Sequence, residues 1–447
     1  MSFPKYPAYK PSGIPWLGDV PEHWEMKRLK RACLIFPSNV DKKSYDGEKS
    51  VLLCNYTDVY YNENIISGMN FMSATATDEQ IKKFTLRAGD TIITKDSETS
   101  DDIAIAAYVP NDIPGVICGY HLSMVRPQGE TYGPFIKCFF DSKIAKAQFE
   151  VAANGLTRVG LSQYAIDNVH CPYPPKNEQS AIAAFLTRET SKIDALVAEQ
   201  QKLIALLKEK RQAVISHAVT KGLDPSVPMK DSGVEWLGEV PAHWDVRPVK
   251  HIADIGNGAT PNRDRTDYWT DGDYPWLSST VVNQDIVREA DEFVTQLALA
   301  ECHLPKISPP AVLIGITGQG KTRGMAATLA FETTINQHIA FLKPKAEQVL
   351  IAFLRRYFDM AYEWMRFESD GGGSTKGAIT CDQLANMRMP YPLSAEQKSI
   401  CDFLDQETIK FDALVTEAQS AIALLQERRT ALISAAVTGK MDVRHLA

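Results

Sequence analysis

Residues Gly315 to Thr322 read GITGQGKT and follow the apolar run AVLI, which satisfies the G-x-x-x-x-G-K-[ST] pattern of a phosphate-binding loop. In such a loop backbone N–H groups wrap the phosphates, Lys321 neutralises them and Thr322 ligates Mg²⁺, all at the start of a helix whose dipole helps. The residues that follow, RGMAATLAFETTINQHIAFL, place Gly324 in the first turn and then run strand-like. No apolar run ending in Asp supplies a second metal ligand. A glycine-rich hairpin is the alternative reading. Other chemistry is harder to find. CPYPP lacks the leading polar residue of an Asn-Pro-Pro-Tyr loop for amino-group methylation, and no Ser-His-Asp or paired-carboxylate arrangement stands above chance. The eight cysteines (33, 54, 118, 138, 171, 302, 381 and 401) form no Cys-x-x-Cys pair and lie near no His at metal-ligand spacing, so buried free thiols are expected. No catalytic, cofactor-binding or metal site is expected, and the chain reads as a recognition protein.

The elements that position these residues come in pairs. SGIPWLGDVPEHWEMKRLK, Ser12 to Lys30, returns as SGVEWLGEVPAHWDVRPVK, Ser232 to Lys250, about 220 residues later. The stretch from Glu178 to Thr220 likewise returns from Glu396 to Thr438. Ile182, Leu186, Ile193, Leu196, Leu203, Leu207 and Val214 draw an apolar stripe along the first copy; Ile400, Leu404, Phe411, Leu414, Leu425 and Leu432 draw it along the second. Each copy predicts one helix of about 60 Å, and the simplest cover for two such stripes is each other. Ser394 and Gln397 read as a capping box, and Pro-Tyr-Pro precedes both helices. The Trp16, His23 and Trp24 set, repeated as Trp236, His243 and Trp244, reads as packing anchors around Pro21 and Pro241. Between the repeats lie two inserts of about 150 residues with short β-rich runs and helical patterns at Phe135 to Val151 and Gln348 to Arg366. They match weakly: YHLSMVRP at Tyr120 aligns with QHIAFLKP at Gln337, and Gly155, Thr157 and Arg158 align with Gly373, Thr375 and Lys376. The net charge of −7 argues against an indiscriminate polyanion binder but not against local basic surfaces. No run approaches the ~20 apolar residues of a membrane helix, and a cytoplasmic setting is the default expectation.

The order of these parts, with YPWLSST and GNGATPNRD in the second insert, resembles the specificity subunit of type I restriction-modification enzymes. In the first insert VLLCNYTD departs from the PWL form. The fold expected is α+β: two similar α/β target-recognition domains separated by two long helices packed as an antiparallel coiled coil, with a pseudo-twofold internal repeat. Expected bounds are 1–176 for the arm and first recognition domain and 177–222 for the first helix. A linker with the repeated Trp-Leu-Gly block takes 223–244, the second recognition domain 245–393, and the second helix and tail 394–447. The resemblance implies a non-catalytic subunit that reads a bipartite, asymmetric double-stranded DNA sequence, with the helices as a ruler of one to two DNA turns. It also implies two modification subunits carrying S-adenosylmethionine and methylating adenine N6, and restriction subunits using ATP and Mg²⁺. The candidate DNA-binding residues are Lys95, Ser97, Thr157 and Arg158 in the first insert, and Arg263, Gln319, Lys321, Arg323, Thr375 and Lys376 in the second. A coiled-coil scaffold that binds only proteins and a nucleotidase built on Gly315 to Thr322 are the competing readings.

Overall fold

The structure is a computed structural model that describes residues 4–318, 320–345, 349–370 and 377–446. It divides into two units, Met1–Gln201 with Gln419–Ala447, and Lys202–Ala418, so each long helix gives one half of itself to each unit.

In the first unit, an antiparallel sheet has the order Cys33–Pro37, Leu122–Pro127, Thr91–Thr94, Ala106–Tyr108. Its central strands are apolar on both faces because both faces are covered. Ile92 and Met124 point into one core with Leu53 and Ile117, whereas Ile93 and Val125 point into a second with Phe135, Phe139 and the helix residue Leu186. A three-stranded sheet, Val116–Cys118, Lys49–Cys54 and Met72–Ala76, backs the first core. The second unit repeats this plan. Its main sheet has the order Ala253–Asn257, Ile339–Pro344, Ala311–Gly315, Ala326–Leu329, Ile286–Val287, and Leu313 faces one core while Val312 and Ile314 face the other. Tyr274–Leu277, the PWL strand, pairs parallel with Thr334–Ile335, as Lys49–Cys54 pairs parallel with Val116–Cys118. VLLC is therefore the structural counterpart of YPWL, despite the different sequence.

The helical pattern from Phe135 to Val151 is two helices, Gly133–Asp141 and Lys143–Ala152. Ser142 between them is extended, and its hydroxyl accepts from the Ala145 N–H, so a capping residue has ended one helix and begun the next. Its counterpart in the second unit is one uninterrupted helix, Ile351–Asp370.

The long helices span Lys176–Lys221 and Ser394–Val437, 46 and 44 residues. They are antiparallel. In the first unit the start of one meets the end of the other, with Ile182, Leu186 and Ile193 in one core with Leu432, Ile433 and Val437. In the second unit Ile215 and Val219 share a core with Ile400 and Leu404. The apolar stripe is buried at these ends, where insert residues join the core. Between them Leu196, Leu203 and Leu414 are exposed, against the expectation of a continuous covered seam.

The repeated blocks fasten the helix starts. Gln179 and Gln397 are fully buried and do the same work in each unit: the side-chain oxygen accepts from an insert backbone N–H (Tyr132, 2.8 Å; Leu350, 2.9 Å), and the side-chain N–H donates to a proline carbonyl (Pro174, 2.8 Å; Pro392, 2.9 Å). Trp24 and Trp244 are fully buried. The Glu178 carboxylate accepts from Trp24 Nε1 at 3.0 Å and Tyr6 Oη at 3.1 Å and pairs with His23 Nε2 at 2.6 Å. In the second unit Glu396 meets His243 at 3.1 Å, while Trp244 Nε1 has no hydrogen-bond partner among the described residues.

Candidate nucleic-acid interface

In the first unit the strand Thr91–Thr94 runs out into Lys95, Asp96 and Ser97, and Asp96–Ser97 pairs with Val159–Gly160. A tight turn closes beside it: Asn154 and Gly160 exchange backbone hydrogen bonds of 3.1 and 2.9 Å. Gly155 is required there, with φ of +150° and the Arg158 carbonyl 2.0 Å from where a Cβ would sit. The turn presents Leu156, Thr157 and Arg158 to solvent. Asp96 braces the cations around it. Arg158 Nη2 lies 2.8 Å from Asp96 Oδ1, and His121 Nδ1 lies 2.7 Å from Oδ2. Lys95 Nζ donates to the Ser38 carbonyl at 3.2 Å and sits 4.4 Å from the ring centre of Tyr120, itself about half exposed. Partial burial pulls the Lys95 amine below its ordinary range. Arginine braced by a carboxylate, flanked by a lysine, a histidine and exposed tyrosines, can bind a phosphate or present a fixed fork to a base edge.

The second unit places the same framework with different side chains. Thr317 bridges Ala378 as Ser97 bridges Val159, and its hydroxyl lies 2.6 Å from His338 Nδ1. Gln337, beside His338, pairs with Thr260 at 2.6 Å. Arg263 is exposed, 3.8 Å from the Trp269 ring centre, and ion-paired with Glu292. Gly315 to Thr322 does not lead into a helix. Ala311–Gly315 and Ala326–Leu329 are antiparallel, Gly315 N donates to Met325 O at 3.0 Å, and Gly324 N donates to Gly315 O at 2.7 Å. The described residues of the segment join two antiparallel strands, without the helix N-terminus that a phosphate loop needs. Its backbone is tied to the neighbouring helix: Tyr362 Oη donates to Lys321 O at 2.8 Å and Arg366 to Gly320 O at 2.7 Å.

The candidates therefore separate. Lys95, Thr157 and Arg158 gather at one end of the first insert, and Lys321 is exposed on the second. Ser97 is 3% exposed, held between the strand pair and Tyr56. Arg323, expected to reach DNA, turns inward instead: it is 3% exposed, bonds Asp370 at 2.5 Å, and packs so closely on Gly377 that a Cβ there would lie 1.5 Å from its Nη1. Gln319, Thr375 and Lys376 lie outside the described residues. The sequence reading missed His121 and His338. The aligned YHLSMVRP and QHIAFLKP held them at the same place, and that shared position was the available signal. Cys33, Cys54, Cys118, Cys171 and Cys401 are buried free thiols, and burial pushes Cys33 up to about 12 and Cys401 to about 11, so neither is a thiolate at neutral pH.

Similar proteins place this architecture. A Methanocaldococcus jannaschii chain provisionally named as the type I restriction enzyme MjaX specificity subunit is 21% identical over 437 residues, 96% of each chain. The EcoR124I/EcoR124II specificity subunit of Escherichia coli is 24% identical over 271 residues, 59% of this chain and 60% of its own. Among solved structures, a chain described under complex assembly and conformational transition of the type I R-M system superposes with a TM-score of 0.72 at 18% identity, covering 94% of this chain and 99% of that one. The HsdS subunit from Thermoanaerobacter tengcongensis gives 0.54 at 19% identity, covering 94% and 98%. The profile of the type I restriction modification DNA specificity domain matches residues 21–205 and 241–422, one copy on each insert-and-helix frame, and the chain belongs to that family of type I restriction-modification specificity subunits.

Proposed function

We propose that the chain reads a bipartite, asymmetric duplex DNA target, one half with each insert, and that the long helices set the spacer between the halves. Two modification subunits dock on the two copies of the repeated frame and methylate adenine N6 with S-adenosylmethionine that they carry; restriction subunits with ATP and Mg²⁺ complete the complex. One observation carries this reading. The frame of glutamine-pinned helix, buried tryptophan and two-faced sheet is repeated, while the exposed ends differ in the side chains they offer: Lys95, His121 and Arg158 in one, Thr317, Gln337 and His338 in the other. Equivalent frames suit identical partners, and unlike ends suit unlike half-sites. As recognition groups we retain Lys95, Thr157, Arg158, Arg263 and Lys321, with Thr375 and Lys376 as counterparts of Thr157 and Arg158. The test is co-expression with the neighbouring modification subunit in a methylation-free host and genome-wide mapping of N6-methyladenine. One split motif is expected; no methylation from a well-folded complex overturns the proposal.

A further inference from the structure

A cluster of charges recurs in both units. In the first, Lys137 ion-pairs with Glu63 and, at 2.7 Å, with Asp141 one helical turn on. Arg429 of the second long helix reaches Glu63 at 2.8 Å and Asp194 of the first long helix at 3.0 Å. In the second unit Arg355 bonds Asp285 at 2.5 Å and faces Asp359 one turn on at 3.5 Å, and Arg211 of the first long helix faces Asp412 of the second at 3.5 Å. These are the same places in the repeat: Arg211 and Arg429 stand at matching positions of the two long helices, as do Asp194 and Asp412. Glu63 precedes Asn64, which bridges Tyr108 in parallel at the edge of the first sheet; Asp285 precedes Ile286, which pairs in parallel with Thr328 at the edge of the second. Gln212 adds a bond to the Asp359 carbonyl at 3.0 Å, and Arg356 one to Asp405 at 2.7 Å.

Each cluster joins three bodies: the edge of the reading sheet, the helix packed beneath it, and both long helices. Lys137 and Arg356 are each 8% exposed, so the cations are held inside while carboxylates such as Glu63 and Asp285 reach them from the solvent side. The inserts have otherwise diverged, and the clusters are built from different residues (Lys137 against Arg355, Glu63 against Asp285) that keep the same charges. The shared apolar cores hold each insert against the helix pair by shape, and a set of directed ion pairs adds a constraint on its angle.

We propose that these clusters are positioning residues for target recognition, each locking its insert at one orientation on the helix pair so that the gap between the half-sites is held to a single length. The inference rests on the bipartite reading above. Glu63 and Asp285 are the places to test it, because their side chains are 58% and 77% exposed and their neutral isosteres leave the cores intact. The complex with the modification subunit is prepared with Glu63→Gln, Asp285→Asn and the pair, and methylated sites are mapped as before. Unchanged half-sites are expected, with methylation at gaps one base pair shorter or longer than the wild-type gap rising about tenfold in the single variants and further in the double. Glu63→Asp should return the single gap. Leu186→Ala, a core change that lowers stability without touching the cluster, should leave the gap unaltered. A single wild-type gap in the double variant overturns the inference, as does an equal spread of gaps in Leu186→Ala. Absence of any split motif in the wild-type complex would instead sink the bipartite reading, and this inference with it.

Discussion

At the scale of single residues, the two tryptophan anchors look interchangeable in sequence and are not. Glu178 satisfies Trp24, Tyr6 and His23 together, while in the second unit Trp244 Nε1 has no partner among the described residues. Removing a buried acceptor leaves its donors desolvated and unpaired, at about 1–3 kcal/mol. Glu178→Ala should therefore lower the melting temperature of the purified chain clearly more than Glu396→Ala, which removes the partner of the half-exposed His243. Trp24→Ala should cost about 3–5 kcal/mol by emptying a fully buried site. Equal shifts for the two glutamates, read by calorimetry, would refute the difference. The repetition of Trp and His was visible in the sequence, and the anchoring role of Trp24 and Trp244 with it; Trp16, expected to anchor as well, is 55% exposed. Their carboxylate was not, because Glu178 lies 154 residues from Trp24 and nothing local to either says that they meet. The same distance hid the Lys137, Glu63 and Arg429 cluster, whose last two members are 366 residues apart. Arg323 shows the opposite error: a cation beside glycines in a loop reads as exposed, and only the inward turn to Asp370 shows otherwise.

At the scale of elements, the long helices were the most legible part, since forty residues without an internal Gly or Pro admit no other structure. What the stripe did not reveal is where it is covered: Leu196 and Leu203 carry the same pattern as Ile182 yet stay exposed, because burial depends on what the inserts bring. Both helices stop in the same way. Gly222 and Gly439 follow them with φ of +74° and +70°, the left-handed conformation that ends a helix without a Cβ penalty. An alanine at Gly222 would meet the Trp244 ring at 3.3 Å; at Gly439 it would lie 2.3 Å from Pro21 Cδ and 3.1 Å from the Trp24 ring. Gly222→Ala should cost about 1–2 kcal/mol from backbone strain alone. Gly439→Ala should cost more, because the proline ring cannot yield and the anchor beneath it must shift. Thermal melts of the two variants that agree within error would show that the close approach at Gly439 is relieved without cost.

At the scale of the whole molecule, 48 basic side chains against 55 acidic ones leave a net charge of −7 on a chain proposed to grip a polyanion. Several of those bases are committed inside the fold. Arg126 is held by Asp90, and Arg323, Arg356, Lys137 and Arg429 by the partners already described. On the proposed reading, two of the exposed candidate cations are held differently. Arg158 is braced by Asp96, which fixes the direction of its fork, as base reading requires; the side chain of Lys321 stands in solvent on a flexible stem, as a point charge on a phosphate can. Each phosphate contact steepens the fall of log affinity with log salt by about 0.9 on duplex DNA, whereas a base contact carries sequence preference and little salt dependence. Titration of the assembled complex on its target and on single-base variants over a range of salt should therefore separate the two. Lys321→Ala should flatten the slope by about one and weaken every duplex alike. Arg158→Ala should keep the slope, lose about 1–3 kcal/mol on the target, and become indifferent to one base pair. Exchange of these signatures would make Arg158 a phosphate anchor and move base reading in the first insert to Lys95, His121 and the tyrosines beside them.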